Sequence, residues 1–155
     1  MYDSIDRPRY LVPRLGGIYA ALDTYSWPLI RVATGLFFVP HGLQKLFGLW
    51  GGDLAKTGEF FAKFSLEPGL FWATYIGCLE LFGGLLLAIG LLTRPVAVLF
   101  IGFMVVAAFH VNITRGWFWT GGGMELPLYL LLVFLAILIR GGGALSVDRV
   151  LGREI

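Results

Sequence analysis

The chain holds a single cysteine, Cys78, among 155 residues. An internal disulfide, a CxxC redox pair and a cysteine-rich zinc site are therefore excluded. Charge is scarce as well: Asp, Glu, Lys and Arg make up 14%, against about 25% in soluble domains. Twelve basic residues against 10 acidic ones leave a net charge of +2, too small to point to nucleic acid. The first 28 residues carry three Arg and three Pro and lack an apolar run, which predicts no cleavable signal peptide.

What the chain has in abundance is apolar surface. Its hydrophobic set is 57%, its aromatics 15%, its glycines number 22 and its mean hydropathy is +0.79. A globule of this size cannot hide so much apolar surface in one core, so lipid is the expected solvent. The apolar runs sort into four helices, at about 29–49, 70–92, 96–113 and 124–139. The fourth run is short and reaches full length only through the glycines before it. A barrel is excluded, because so few spans of this kind cannot close one. The expected fold is an all-α integral membrane bundle of four helices, residues 29–155, preceded by a polar arm, 1–28.

Basic residues set the expected direction. With a cytoplasmic N-terminus, the inner side holds eight of them: Arg7, Arg9, Arg14, Arg31, Arg94, Arg140, Arg149 and Arg153. The outer side holds four, Lys45, Lys56, Lys63 and Arg115. A multi-pass protein of the plasma or inner membrane with both termini in the cytoplasm follows. Trp50, Trp72, Trp117 and Trp119 fall at outer ends and Trp27 at the first inner end, the depth where part-polar rings settle.

The connections differ in kind. Residues 92–95 form a tight inner hairpin with Pro95 near a helix start. In the long outer loop, 51–69, Asp53 is placed to cap a short helix whose Leu54, Thr57, Phe61 and Phe64 share a face, a lid on the outer surface. After the glycine triplet 141–143, Ser146 is placed to cap an amphipathic tail with Val147, Val150 and Leu151 on one side.

Ionisable groups in lipid cost at least ~2.5–3.5 kcal/mol each on insertion scales, so each one raises a functional question. At ~1.5 Å per residue, His41 and Glu80 lie ~18 Å from the inner ends of their helices, His110 ~22 Å and Lys45 ~24 Å. Glu125 opens the fourth helix near the outer face. These groups converge on the outer half of the membrane, joined by Gln44 and Asn112. His41, Gln44 and Lys45 share one helix face by their i, i+3, i+4 spacing. Gly77, Gly83 and Gly84 flank Glu80, and Gly35 and Gly42 stand on the first helix, which lets helices approach closely there.

Each residue also has a plain structural reading. Glu80 and Lys45 form a structural ion pair or serve a substrate. His41 and His110 bond backbone carbonyls or a ligand. Glu125 caps a helix start, Cys78 packs, and Arg31 snorkels to the inner interface as an anchor.

The first helix reads Arg31-x-x-x-Gly35-x-x-Phe38-x-x-His41-Gly42-x-x-Lys45-Leu46-Phe47-Gly48. Glu80-x-x-Gly83-Gly84, Gly90-Leu91-Leu92-Thr93-Arg94 and Gly143-Ala144-Leu145-Ser146-Val147-Asp148 follow it. Together these resemble the DoxX family of small four-helix membrane proteins over about residues 29–150. The resemblance marks Arg31, His41, Lys45, Glu80 and Arg94 as motif residues, with Arg94 a second anchor beside Arg31. It implies a role beside thiosulfate:quinone oxidoreductase or in other redox and oxidative-stress complexes.

The leading expectation is a quinone-interacting subunit of an oxidoreductase complex. Glu80 and His41 would act on the quinone, and Lys45, Gln44, His110, Asn112 and Glu125 would help bind it. One thiol and no flavin or iron–sulfur motif leave this chain without an electron carrier, which calls for a protein partner to supply electrons. A second copy of the chain is another candidate partner. The competing reading is a non-catalytic anchor or assembly subunit. A b-haem ligated by His41 and His110 ranks below both, beside a small-molecule transporter, and no covalently held cofactor or metal site is implied.

Overall fold

The computed structural model describes residues 10–152, all of whose regular structure is helical. Arg7, Arg9 and Arg153 of the basic count lie outside them. The elements are α1 (Pro13–Phe47), α2 (Leu54–Ala62), α3 (Gly69–Ile89), α4 (Thr93–Val111), α5 (Glu125–Arg140) and α6 (Val147–Leu151). Of these, α3 and α4 are by themselves long and apolar enough to cross a membrane.

Helix α1 begins at Pro13, far ahead of the expected position 29. Proline suits the first turn of a helix, where its missing N–H is not needed. The segment taken as a polar arm thus continues into the same helix. Pro28 and Pro40 stand inside it, each withholding one backbone donor. The helix stops where Gly48 turns left-handed, φ 70°. The next boundary is set in the same way: Gly90 (φ 72°) ends α3 before the expected position 92. Helix α4 starts at Thr93 rather than 96, with Pro95 in its first turn.

Close approach by glycine joins α1 to α3. A Cβ on Gly35 would stand 2.5 Å from the Gly84 carbonyl oxygen, and one on Gly42 2.8 Å from that of Gly77. Packing between α4 and α5 is through side chains. Phe100 of α4 stacks on Phe134 of α5 at 4.5 Å between centroids, and Phe38 of α1 meets both, at 4.7 and 5.6 Å. These three rings are buried and tie α1, α4 and α5 together. Helices in lipid are joined by side-chain packing rather than by removal from water, so the ring trio is a principal anchor of the fold.

Two ends of the molecule follow. The loop end carries α2 and the connection from α4 to α5. The hairpin end carries Gly90–Leu92 and the C-terminal segment. At the loop end, the Asp53 carboxylate accepts from the Lys56 N–H at 3.1 Å and starts α2, which packs on α3 through Phe61. At the hairpin end, Ser146 Oγ accepts from the Arg149 N–H and starts α6. Val150 and Leu151 of α6 are exposed, and the residue turned inward is Asp148. The tail therefore sets its apolar side away from the protein.

Candidate functional site

Glu80 lies in a five-residue π-helical segment of α3, Leu79–Gly83, and is 3% exposed. Such segments widen a helix by one residue per turn and re-aim a side chain, often at functional sites. Lys45, one turn from the end of α1, reaches Glu80 with Nζ 2.9 Å from Oε1 and 2.7 Å from Oε2. A single ammonium thus serves both carboxylate oxygens. The expected partnership of these two residues is therefore a contact in the structure.

A cavity meets each side of this pair. On the Glu80 side, a cleft of ≈ 1000 Å³ lies between α1 and α5, with Phe37, Phe38 and His41 on one wall and residues 125–130 with Leu132 on the other. Met104 and Asn112 of the α4 side also line it, and Trp117 and Trp119 stand at its loop-end rim. Phe38 forms part of the floor, where its contact with Phe134 closes α1 against α5. On the Lys45 side, a smaller pocket of ≈ 320 Å³ is lined by Gln44, Lys45, Asp53, Lys56 and Thr57. Lys56 is exposed at its edge, so this pocket reaches the surface at the loop end.

The structure thus divides the residues expected in one pocket. His41, Glu80, Asn112 and Glu125 line the cleft, while Gln44 and Lys45 line the outer pocket. His110 lines neither. It sits in a second π-helical segment, Ala107–Val111, where its Nε2–H donates to the Phe64 carbonyl oxygen at 2.7 Å and ties α4 to the chain just after α2. His41 packs its ring against Phe37 at 5.3 Å instead. The carboxylate of Glu125 accepts from the Trp119 N–H at 3.1 Å, holding the rim loop rather than capping its own helix. Among the described residues no group of three His, Cys, Asp or Glu side chains is arranged to hold a metal ion.

Arg31 departs from the snorkelling expectation. It is 1% exposed, and its Nη2 donates to the Leu145 carbonyl oxygen at 2.5 Å. Around it, Asp148 accepts from the N–H groups of Leu92 (2.8 Å) and Thr93 (2.9 Å), and its own N–H donates to Gly90. The C-terminal segment thereby clamps the hairpin and supplies α4 with a cap from 55 residues away. Trp27, expected at an interface, is likewise buried, and donates from Nε1 to the Gly141 carbonyl oxygen at 3.0 Å. A guanidinium can snorkel only if no acceptor folds over it, and here the chain end does. Arg94 stands half-buried in the first turn of α4.

Sequence reasoning did not single out Asp148 as the residue that caps α4, nor Trp117 and Trp119 as rim residues. Asp148 was visible only as part of the closing motif, since a carboxylate beside a short tail looks like an ordinary first-turn acid.

The DoxX family profile matches residues 26–113. A protein of Bacillus subtilis (strain 168) named "Putative oxidoreductase CatD" is 35% identical over 120 residues, covering 77% of this chain and 82% of that protein. No solved structure matches the chain. The profile covers more than half of the sequence and takes in His41, Lys45 and Glu80 with their glycine neighbours, and the chain belongs to the DoxX family of membrane-associated helical proteins.

Proposed function

We propose that this chain is a quinone-interacting membrane subunit of an oxidoreductase complex. In this reading α1, α3, α4 and α5 all cross the plasma or inner membrane, α2 lies as a lid on the outer face, and both termini are cytoplasmic. One observation carries the reading: Glu80, a buried ionisable residue, lines a large, mainly apolar cleft between two helices. A quinone needs an apolar wall for its tail and ring and a few groups that bond carbonyl oxygens and exchange protons. The relative's name points to the same kind of chemistry.

Reduction of a quinone to the quinol takes two electrons and two protons. A redox partner supplies the electrons. In this chain His41 bonds one carbonyl oxygen, Glu80 passes protons to the ring oxygens, and Lys45 holds Glu80 in place and balances its charge. Asn112 and Glu125 bound the head group at the loop end, Gln44 lies beside Lys45 on the outer side, and His110 positions the lid.

The alternative, a non-catalytic anchor, draws on the same ion pair, since Lys45 already satisfies both oxygens of Glu80. Mutants separate the two. In the assembled complex in membranes, Glu80→Gln is expected to slow quinone reduction with little change in quinone affinity. His41→Phe is expected to weaken binding by about 0.5–1.5 kcal/mol. Wild-type rates and affinity in both variants, with assembly intact, favour the anchor. For topology, cysteines at Lys56 and Gly152 in a Cys78→Ser background should react oppositely with an impermeant maleimide. Labelling at 56 alone in intact cells is the expected result.

A further inference from the structure

A third cavity, of ≈ 500 Å³, lies on the other side of α4 from the cleft. Its walls are α3 and α4, the two helices long and apolar enough to cross a membrane. These helices pack tightly toward the hairpin, where Gly83 lies against Phe100 and Val96. They part toward the loop end, and there Phe60 and Phe61 of α2 cover the gap. Apart from Asn112, the aromatic Trp72 and Tyr75 bring the only side-chain polar atoms to a lining otherwise built of hydrocarbon. Gly102 opens directly onto vacant space: a Cβ there would meet no atom within 4 Å.

An apolar cavity of this size does not hold water well, and leaving one empty destabilises in proportion to its volume. Its side wall faces outward, with Val98, Leu99 and Val106 each 40–52% exposed. Since α3 and α4 are the membrane-capable pair, what meets that wall is lipid. Along the α4 side the lining runs from Val98 to Asn112, ~21 Å at ~1.5 Å per residue. That is about the depth of one leaflet, half of a ~30 Å hydrocarbon core, with some to spare. Trp72 and Tyr75 mark its loop end, at the level where a headgroup meets water.

We infer that this cavity binds one long hydrocarbon chain, laid between α3 and α4 beneath the α2 lid. The chain belongs to a membrane phospholipid or to an isoprenoid quinone, which share this chemistry. The site is separate from the Glu80 cleft and does not rest on the quinone reading.

The test is native mass spectrometry of the full chain released from membranes in mild detergent, with the retained molecule identified by organic extraction. Wild type is expected to keep about one long-chain molecule per protein. Gly102→Phe adds bulk to the cavity wall at a position where a Cβ meets no atom, and should lower retention at least about tenfold. Val106→Trp, at the mouth, should do the same, and circular dichroism checks that both remain helical. Ile139→Phe, at an exposed position that lines none of the three cavities, should keep its molecule. A retained phospholipid and a retained quinone each support the site and decide the source of the chain. Wild type without a long-chain molecule, or cavity variants that retain as much as wild type, overturns the inference.

Discussion

The two ends of the bundle each bury a charge, and they do so in opposite ways. At the loop end, Lys45 and Glu80 bond directly to each other, and a cavity lies on either side of them. At the hairpin end, Arg31 and Asp148 bond backbone groups rather than each other, and the space around them is full. A Cβ on Gly90 would collide with the Arg31 guanidinium, and one on Gly142 would lie 2.7 Å from Ser146. A charge pair with room beside it can exchange partners with a ligand. One enclosed by backbone holds chain segments together, so the first is the candidate site and the second a clamp.

Double-mutant cycles break this comparison most directly. Lys45→Met should cost about 3–5 kcal/mol of stability, because it strands a buried carboxylate. Adding Glu80→Gln should recover much of that loss, giving a coupling of at least ~1.5 kcal/mol between the two sites. Arg31→Met and Asp148→Asn should show a smaller coupling than this, since each residue bonds its own backbone partner and the two meet only through their charges. Equal coupling energies at the two ends, measured by denaturation in detergent micelles, would erase the distinction.

A smaller effect sharpens the same contrast through pH. Burial alone would raise the Asp148 carboxyl, but the N–H groups of Thr93 and Leu92, with the Arg31 charge nearby, outweigh it and hold it below its ordinary value. Its contribution is therefore present above the unfolded-state value of about 3.9 and fades as pH falls through the lower folded-state value. The gap in melting temperature between wild type and Asp148→Asn should be widest at neutral pH and close in strong acid.

The smallest expected effect is at α2. Asp53 bonds the Lys56 N–H at the exposed start of α2, and that bond holds its carboxyl below the ordinary value. Asp53→Ala should speed amide exchange at the first turn of α2 and leave the Arg31 clamp unchanged. Faster exchange at Leu92 and Thr93 would mean that the two ends are not independent.

Local signals were legible where one short stretch of sequence decides the outcome. Asp53 and Ser146 cap the helices they precede, because a side-chain oxygen needs only the N–H groups two or three residues ahead. The glycine seam between α1 and α3 was legible because helical spacing puts its members on one face. The start of α1 was misplaced at 29 because hydropathy marks where lipid begins, and a helix can extend well past that point. His110 was expected within about one helical turn of Glu80 in depth but bonds the Phe64 carbonyl oxygen instead. Depth along a helix says nothing about the direction around it, and the π-helical segment shifts that direction further.

The amino-acid sequence by itself determined the helical class and the expectation of lipid as solvent, and it named Lys45 and Glu80 as candidate partners. Each follows from composition, from periodicity or from the penalty on an unpaired charge away from water. Only the tertiary structure decided which charges border a hollow and which are sealed. Arg31 became buried because residues 141–148 fold back over it, and Asp148 caps a helix whose first residue is 55 positions away. The cleft exists because α1 and α5 meet at the Phe38–Phe134 contact and separate beyond it. Room beside a residue depends on how far apart two helices stand, and that distance is set by every contact between them at once.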